Sequence, residues 1–211
     1  DNLRLTLYCK FYKLMKLLRK MKLHLYVFRH GQTTFNRDAK FTGFIDAPLT
    51  AAGREDARIV ALRLKRKKIN IAYCTRLKRS RESLKEILKF HPECGKEICD
   101  DRMIERDYGR LAGKTHFEVV KKYGFENYDK WHRGFDARPP AGESFADVEK
   151  RVGQFIKDLI NFMKKEKANV VVSAHGNSIR LFRKIMERAS EKDAVRWFIP
   201  YDNYYEYTIA A

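Results

Sequence analysis

No apolar run in this chain approaches the roughly 18 residues that a bilayer-crossing helix needs, so no membrane span is expected. Cysteine is scarce. Cys9, Cys74, Cys94 and Cys99 are the only four in 211 residues, too few to staple a chain of this size into a disulfide scaffold. Cys94 and Cys99 lie near His91, but the spacing is loose and a fourth ligand is missing, so no metal is expected. Reduced thiols in a cytoplasmic setting are the simpler reading. There is no internal repeat, no linker and no low-complexity stretch to divide the chain. Acidic residues are in deficit, with 27 Asp and Glu against 45 Lys and Arg, for a formal charge of +18.

What is present fits a globular protein. Hydrophobic residues make up 44% of the chain and include 14 Phe, enough for a full core and outside the disordered range. The excess positive charge has three readings: a solvated surface, steering of anionic substrates, or nucleic-acid binding. The basic residues are spread over several helices and do not form one stripe, so nucleic acid is not the expected partner. Residues 1–20 stand apart. Leu3, Leu7, Phe11, Leu14 and Leu18 form a helical stripe among six basic residues and one acid. A basic amphipathic helix could serve a membrane surface or targeting. Met21-Lys22 looks like a natural start, however, so 1–20 reads as an extension outside the native domain, with 21–211 as one catalytic domain.

Leu23, Leu25, Tyr26, Val27 and Phe28 form an apolar run that ends in Arg29-His30-Gly31. This pattern predicts a buried central strand delivering polar groups at its carboxyl end, where open α/β sheets bind ligands. Arg29 can hold a phosphate through a bidentate fork, and a neutral His30 offers a nucleophilic nitrogen. Gly31 allows a close backbone approach. Alone, Arg-His-Gly is weak. Val170-Val171-Val172-Ser173-Ala174-His175-Gly176-Asn177 repeats the plan of strand, His-Gly and helix start, so two strand-end histidines could face one pocket.

Between these stretches, helices are expected from Thr50 to about Lys65, from about Ser80 to Phe90, and from a Thr115–Glu118 capping box to Tyr123. Ser144 should cap the longest helix, to about Lys165, and Asn177 should open another, to about Arg188. Further strands are expected at 69–74, 170–173 and 204–209, 98–105 reads as a strand or extended segment ending in Glu105, and 125–143 reads as loop. Strands alternating with helices imply an α/β three-layer sandwich with a mostly parallel central sheet.

Five ordered blocks carry a resemblance. They are Arg29-His30-Gly31 with Asn36; Thr42-Gly43-Phe44 with Asp46 and Pro48-Leu49-Thr50; Leu77-Lys78-Arg79; Glu105-Arg106-Asp107-Tyr108-Gly109; and Ala174-His175-Gly176-Asn177-Ser178. Together they cover most of the chain. The chain resembles the histidine phosphatase superfamily, and within it looks most like the 2,3-bisphosphoglycerate-dependent phosphoglycerate mutases.

The resemblance implies a phosphoglycerate mutase-like fold and the following roles. His30 attacks phosphorus and becomes phosphohistidine. Arg29, Arg79 and His175 surround the phosphoryl group, assisted by Asn36 and by the backbone of Gly176. Glu105 moves the proton. Thr42, Gly43, Tyr108 and Asn177 contact the rest of the substrate, with Lys114, His116, His132 and Arg133 farther out. The residue types suit the chemistry. Fixed cations stabilise the charge spread over a transferring phosphoryl group, and they disfavour protonation of His30. A carboxyl beside phosphate favours its protonated form, as a proton donor requires.

The same pocket supports a mutase or a phosphatase. The mutases usually carry two adjacent arginines where this chain has His132-Arg133, and a lysine where it has His116, although Lys114 is near. The lid-like insertion after Pro139-Pro140 is absent, Gln32 replaces a common Glu, and the tail at 199–203 differs. The adopted reading is a mutase primed by 2,3-bisphosphoglycerate. The alternative is a phosphomonoester phosphatase, and the remote alternative is a non-catalytic basic binding protein. The implied partner is a small phosphorylated substrate. Oligomeric state stays open, a homodimer included.

Overall fold

The computed structural model describes residues 22–210. The helical stripe read in residues 1–20 therefore lies outside the described residues. Five strands form one sheet: β1 (Lys22–Arg29), β2 (Ile71–Cys74), β3 (Lys96–Cys99), β4 (Val170–Ala174) and β5 (Tyr204–Ala210), in the spatial order β3-β2-β4-β1-β5. All neighbouring pairs are parallel except β1 with β5. The helices are α1 (Thr34–Arg37), α2 (Ala51–Leu64), α3 (Lys78–Leu88), α4 (His116–Tyr123), α5 (Phe125–Arg133), α6 (Phe145–Glu166), α7 (Gly176–Glu187) and α8 (Glu191–Ala194).

The sheet is covered on both faces, which is why its central strands read as continuous apolar runs. Leu23, Leu25, Val27, Val170 and Val172 pack with Val148, Val152, Phe155 and Leu159 of α6 and with Ile179 and Phe182 of α7. Tyr26, Phe28, Ala72 and Val171 pack on the other face with Val60, Ala61 and Leu64 of α2 and with Leu84 and Ile87 of α3. This is the three-layer α/β sandwich expected from the alternation of strands and helices.

The helix starts follow their caps. Thr50 accepts the Gly53 N–H at 2.9 Å, and Thr115 and Ser144 form capping boxes with Glu118 and Asp147. Buried residues of α6 recur at helical spacing from Phe145 to Met163, so its apolar face follows from periodicity.

Two expectations fail. The strand at 98–105 is shorter and starts earlier, at Lys96–Cys99, because the Asp100 carboxylate accepts the Arg102 N–H at 3.0 Å and closes a 3₁₀ turn. Glu105 therefore lies in a loop. The stretch 125–143 is not all loop. Gly124, at φ 81°, turns the chain straight from α4 into α5, whose Tyr128 and Trp131 pack on Phe41 and Tyr123.

The loop after β1 is held by a backbone-to-backbone contact. A Cβ on Gly31 would lie 1.8 Å from the Gly53 carbonyl oxygen, and one on Gly53 would lie 2.0 Å from that of Gln32. Gly31 thus serves contact with α2, which differs from the ligand approach read from sequence. Gly31→Ala is expected to destabilise the protein by about 3 kcal/mol or more, since neither partner can yield. Urea unfolding of the purified variant measures this.

Candidate active site

The site is built at the carboxyl ends of β1 and β4. Their parallel register pairs Arg29 with Ala174, so His30 and His175 leave the sheet side by side. The His30 N–H donates to the Ala174 carbonyl at 3.0 Å, and the two imidazole centroids are 4.9 Å apart. Both histidines are buried.

The tautomer of His30 follows from its surroundings. Nδ1 lies 2.8 Å from the Gly31 carbonyl oxygen, which can only accept. Nδ1 therefore carries the proton and Nε2 keeps its lone pair. Burial first, and then Arg79 and Arg29, holds His30 well below the usual imidazole range, so it is neutral at pH 7. His175 is depressed in the same direction by burial, Arg79 and His30. Its Nε2 is 2.8 Å from Thr75 Oγ1, and its Nδ1 is buried without a protein partner among the described residues.

Two arginines flank these rings. Arg29 Nη1 donates to the Ile199 carbonyl at 3.0 Å and its guanidinium stacks 4.0 Å from the Tyr201 ring centroid. A Cβ on Gly176 would come within 3.3 Å of this guanidinium, so the absent side chain lets Arg29 rest on the start of α7. Arg79 is fully buried and donates to the Ile45 and Gly43 carbonyls at 2.7 and 2.8 Å. It thereby fixes the loop that carries Thr42. Arg29 Nε and Arg79 Nε are buried without protein acceptors among the described residues, an arrangement that leaves donors for an anion.

Glu105 is anchored by one oxygen. Its Oε1 accepts the Arg106 N–H at 2.8 Å and the Asn177 N–H at 3.1 Å, the latter at the start of α7, where negative charge is favoured. Asn177 Nδ2 donates to Tyr108 Oη at 3.1 Å. Asn36 Oδ1 accepts from the Thr33 hydroxyl and backbone N–H.

A cavity of about 140 Å³ opens here, lined by Arg29, Asn36, Thr42, Glu105, Gly176 and Asn177, with Lys40, Phe41, Tyr108, His116, His132 and Arg180 completing the wall. His116 stacks on Phe41 at 4.4 Å and bonds Tyr128 Oη through Nδ1 at 2.9 Å. Burial, and then Arg133, lowers His116. Burial, with Arg133, His116, Arg180 and Arg106 following, pulls His132 down to about 3.

Three residues read from sequence as substrate contacts, Arg133, Lys114 and Gly43, are not on this wall. Arg133 Nη1 donates to the Val195 carbonyl at 2.7 Å, because the last turn of α5 directs His132 inward and its neighbour away. Lys114 meets the loop through its backbone, its carbonyl accepting the Phe41 N–H at 2.9 Å. Gly43 is likewise off the wall, with its carbonyl bound to Arg79. Conversely, Lys40, Phe41, Thr75 and Arg180 went unread as site residues. Arg180 carried a signal, since it follows Asn177 by three positions on one helix and so shares its face. Thr75 carried none, because strand pairing alone brings it to His175.

Among the described residues, no group of three or more His, Cys, Asp or Glu side chains is arranged to hold a metal ion, and no helix is long and apolar enough to cross a membrane.

A family model for the histidine phosphatase superfamily (branch 1) matches residues 25–209. The chain belongs to this superfamily. It is therefore an enzyme of phosphohistidine-mediated phosphoryl transfer. It is similar to 2,3-bisphosphoglycerate-dependent phosphoglycerate mutase 1 of Gloeobacter violaceus, with 33% identity covering 81% of this chain and 86% of the relative. It is also similar to the 2,3-bisphosphoglycerate-dependent phosphoglycerate mutase of Brucella ovis, with 37% identity covering 76% and 79%. In fold it is similar to an alpha-ribazole phosphatase from Shigella flexneri, with a TM-score of 0.76 and 20% identity covering 90% of this chain and 95% of that one.

The histidines of this superfamily member make its stability acid-sensitive. His116 and His132 have depressed values when folded, so the unfolded chain binds more protons. Their contribution is full above about pH 6.5 and is lost as the pH falls below it, for His132 down to about 3. His132→Phe should narrow the gap in unfolding free energy between about pH 7.5 and pH 5 by about 2 kcal/mol. Urea titrations at both pH values measure it, and an unchanged gap would contradict the assignment.

Proposed function

We propose that this protein is a phosphomonoesterase for small phosphorylated metabolites, acting through a phosphohistidine at His30. The observation that carries the reading is the outer wall of the cavity. Where the resemblance leads one to expect fixed cations, this chain has His116 and His132, both neutral at pH 7 and packed with Phe41 and Tyr128. A mutase must keep a twice-phosphorylated intermediate bound until the phosphoryl group returns. Neutral imidazoles at these two positions hold a second phosphate less tightly than the expected cations would, which favours release and attack by water.

The chemistry follows from the geometry. His30 Nε2 attacks phosphorus while Arg29, Arg79 and His175 Nδ1 offset the charge on the equatorial oxygens. The free Oε2 of Glu105, when protonated, gives its proton to the leaving alkoxide oxygen. The resulting carboxylate then takes a proton from the water that attacks the phosphohistidine, and phosphate and free His30 result.

A second reading, the primed mutase, is favoured by the 33% and 37% identity to proteins named as such mutases. One assay separates the two. Purified protein is given 3-phosphoglycerate with and without 2,3-bisphosphoglycerate, and free phosphate and 2-phosphoglycerate are followed together. Phosphate release that needs no bisphosphate, reduced by about a thousandfold or more in His30→Ala, is the expected result. Formation of 2-phosphoglycerate that depends on the bisphosphate would overturn hydrolysis in favour of the mutase, with 2,3-bisphosphoglycerate as its priming agent.

A further inference from the structure

Two of the chain's thiols stand opposite one another in the sheet. β2 and β3 pair in parallel, and their register sets Cys74 against Cys99. Paired residues share a face of the sheet, as Tyr73 and Ile98 do by both packing into the core on the α6 side. Cys74 packs on the other side with Ala72 and Leu84, so Cys99 projects there too. Neighbouring strands lie about 4.8 Å apart, inside the roughly 4.4–6.8 Å between Cα atoms that a disulfide spans. The two thiols are close enough for each to alter the other's proton affinity. Among the described residues, Cys74, Cys94 and Cys99 are all free, with Cys74 buried and Cys99 exposed. Cys94 is out of reach of Cys99, because the extended strand Lys96–Cys99, about 10 Å long, lies between them.

The pair sits where two segments of the active site leave the sheet. Cys74 is followed by Thr75, whose hydroxyl meets His175 Nε2 at 2.8 Å. Cys99 is followed by Asp100, whose N–H donates to the Cys74 carbonyl at 2.9 Å and whose carboxylate closes the turn that leads to Glu105. β3 is the weaker partner. It has four residues, lies at the sheet edge, pairs with β2 alone and has only Ile98 partly buried. Short exposed edges belong to the low-stability end of a fold. Neither thiol is a fast nucleophile at neutral pH. Burial, with Cys99 next, pushes Cys74 up to about 11, and burial, with Asp101 next, pushes Cys99 up, although Arg81 of α3 favours both thiolates. The pair therefore rests reduced and responds to sustained oxidation.

We propose that Cys74 and Cys99 form a reversible disulfide with a peroxide as oxidant, and that this bond ties the edge strand leading to Glu105 to the strand that supports His175. With hydrogen peroxide, Cys99 loses its thiol proton and attacks one oxygen; the O–O bond breaks, and a sulfenic acid and one water result. Cys74 then loses its proton and attacks the Cys99 sulfur; the S–S bond forms, the S–O bond breaks, and a second water leaves. The two thiols together give up two electrons, and one peroxide is reduced to two waters. A dithiol reverses the bond by exchange. The inference holds whether the enzyme is a phosphatase or a mutase.

The test treats the wild-type full chain with hydrogen peroxide, quenches it with an alkylating agent and digests it with trypsin. A peptide pair joining 69–76 to 97–102 is the expected product by mass spectrometry. The oxidised protein should melt about 5 °C or more higher, since the bond closes a loop of about 25 residues. Exchange of the amide hydrogens of β3 and Asp100 should slow by about tenfold or more. Dithiothreitol should reverse both effects, and Cys99→Ser should show neither. Sulfinic acid at Cys99 without a cross-link, or Cys99 joined to Cys94 or to a second chain, would overturn the pairing. A cross-link that leaves melting and exchange unchanged, or a rise in melting temperature that persists in Cys99→Ser, would overturn the tether.

Discussion

The pairing of β1 with β4 is the constraint on which the rest of the site depends. Arg29 stands opposite Ala174, and the residue after each is a histidine. A parallel register is indifferent to most side chains, but a slip of one residue would send alternate side chains to the opposite face. Here it would also separate the two imidazoles that now stand 4.9 Å apart. The two faces of each strand pack into different cores, Val27 and Val172 on one side and Phe28 and Val171 on the other, so a slip would exchange these sets, and that is what pins the register. The strength of the core and the geometry of the chemistry therefore have one source. The third strand end, β2, joins them through the contact of Thr75 with His175.

Around that point the protein concentrates positive charge and suppresses it on its histidines. Arg79 and Arg180 stay cationic at neutral pH, while His30, His116, His132 and His175 are driven toward the neutral form, chiefly by burial and then by neighbouring arginines, Arg79 for His30 and His175 and Arg133 for His116 and His132. The two effects are linked. A guanidinium keeps its proton far above neutral pH even when partly desolvated, whereas an imidazole in the same field does not. The result is a site whose anion-binding groups and nucleophile require opposite protonation behaviour and obtain it from a single electrostatic field.

Much of this was legible in the sequence, and what was not had physical reasons. The sandwich followed from strand–helix alternation, and the helix starts followed from Thr50, Thr115 and Ser144, because a cap is a local bond. The strand-end histidines followed from two apolar runs with the same ending. By contrast, α5 was hidden because Gly124 reads from sequence as the end of α4, whereas it also starts the next helix. Arg133 and His132 could not be told apart by spacing, since adjacent helical positions differ by about 100° and only tertiary packing decides which one faces inward. Lys40 and Thr75 belong to the site through contacts far apart along the chain, which no local pattern records.

The anchoring of Glu105 has a positional meaning. Its Oε1 is bound to the Asn177 N–H, two residues from His175 at the same helix start. A loop carboxylate tethered this way takes its place from the helix backbone that also carries His175. The position of the proton-carrying group relative to His175 is thus referred to the start of α7 and not to the path of its own loop.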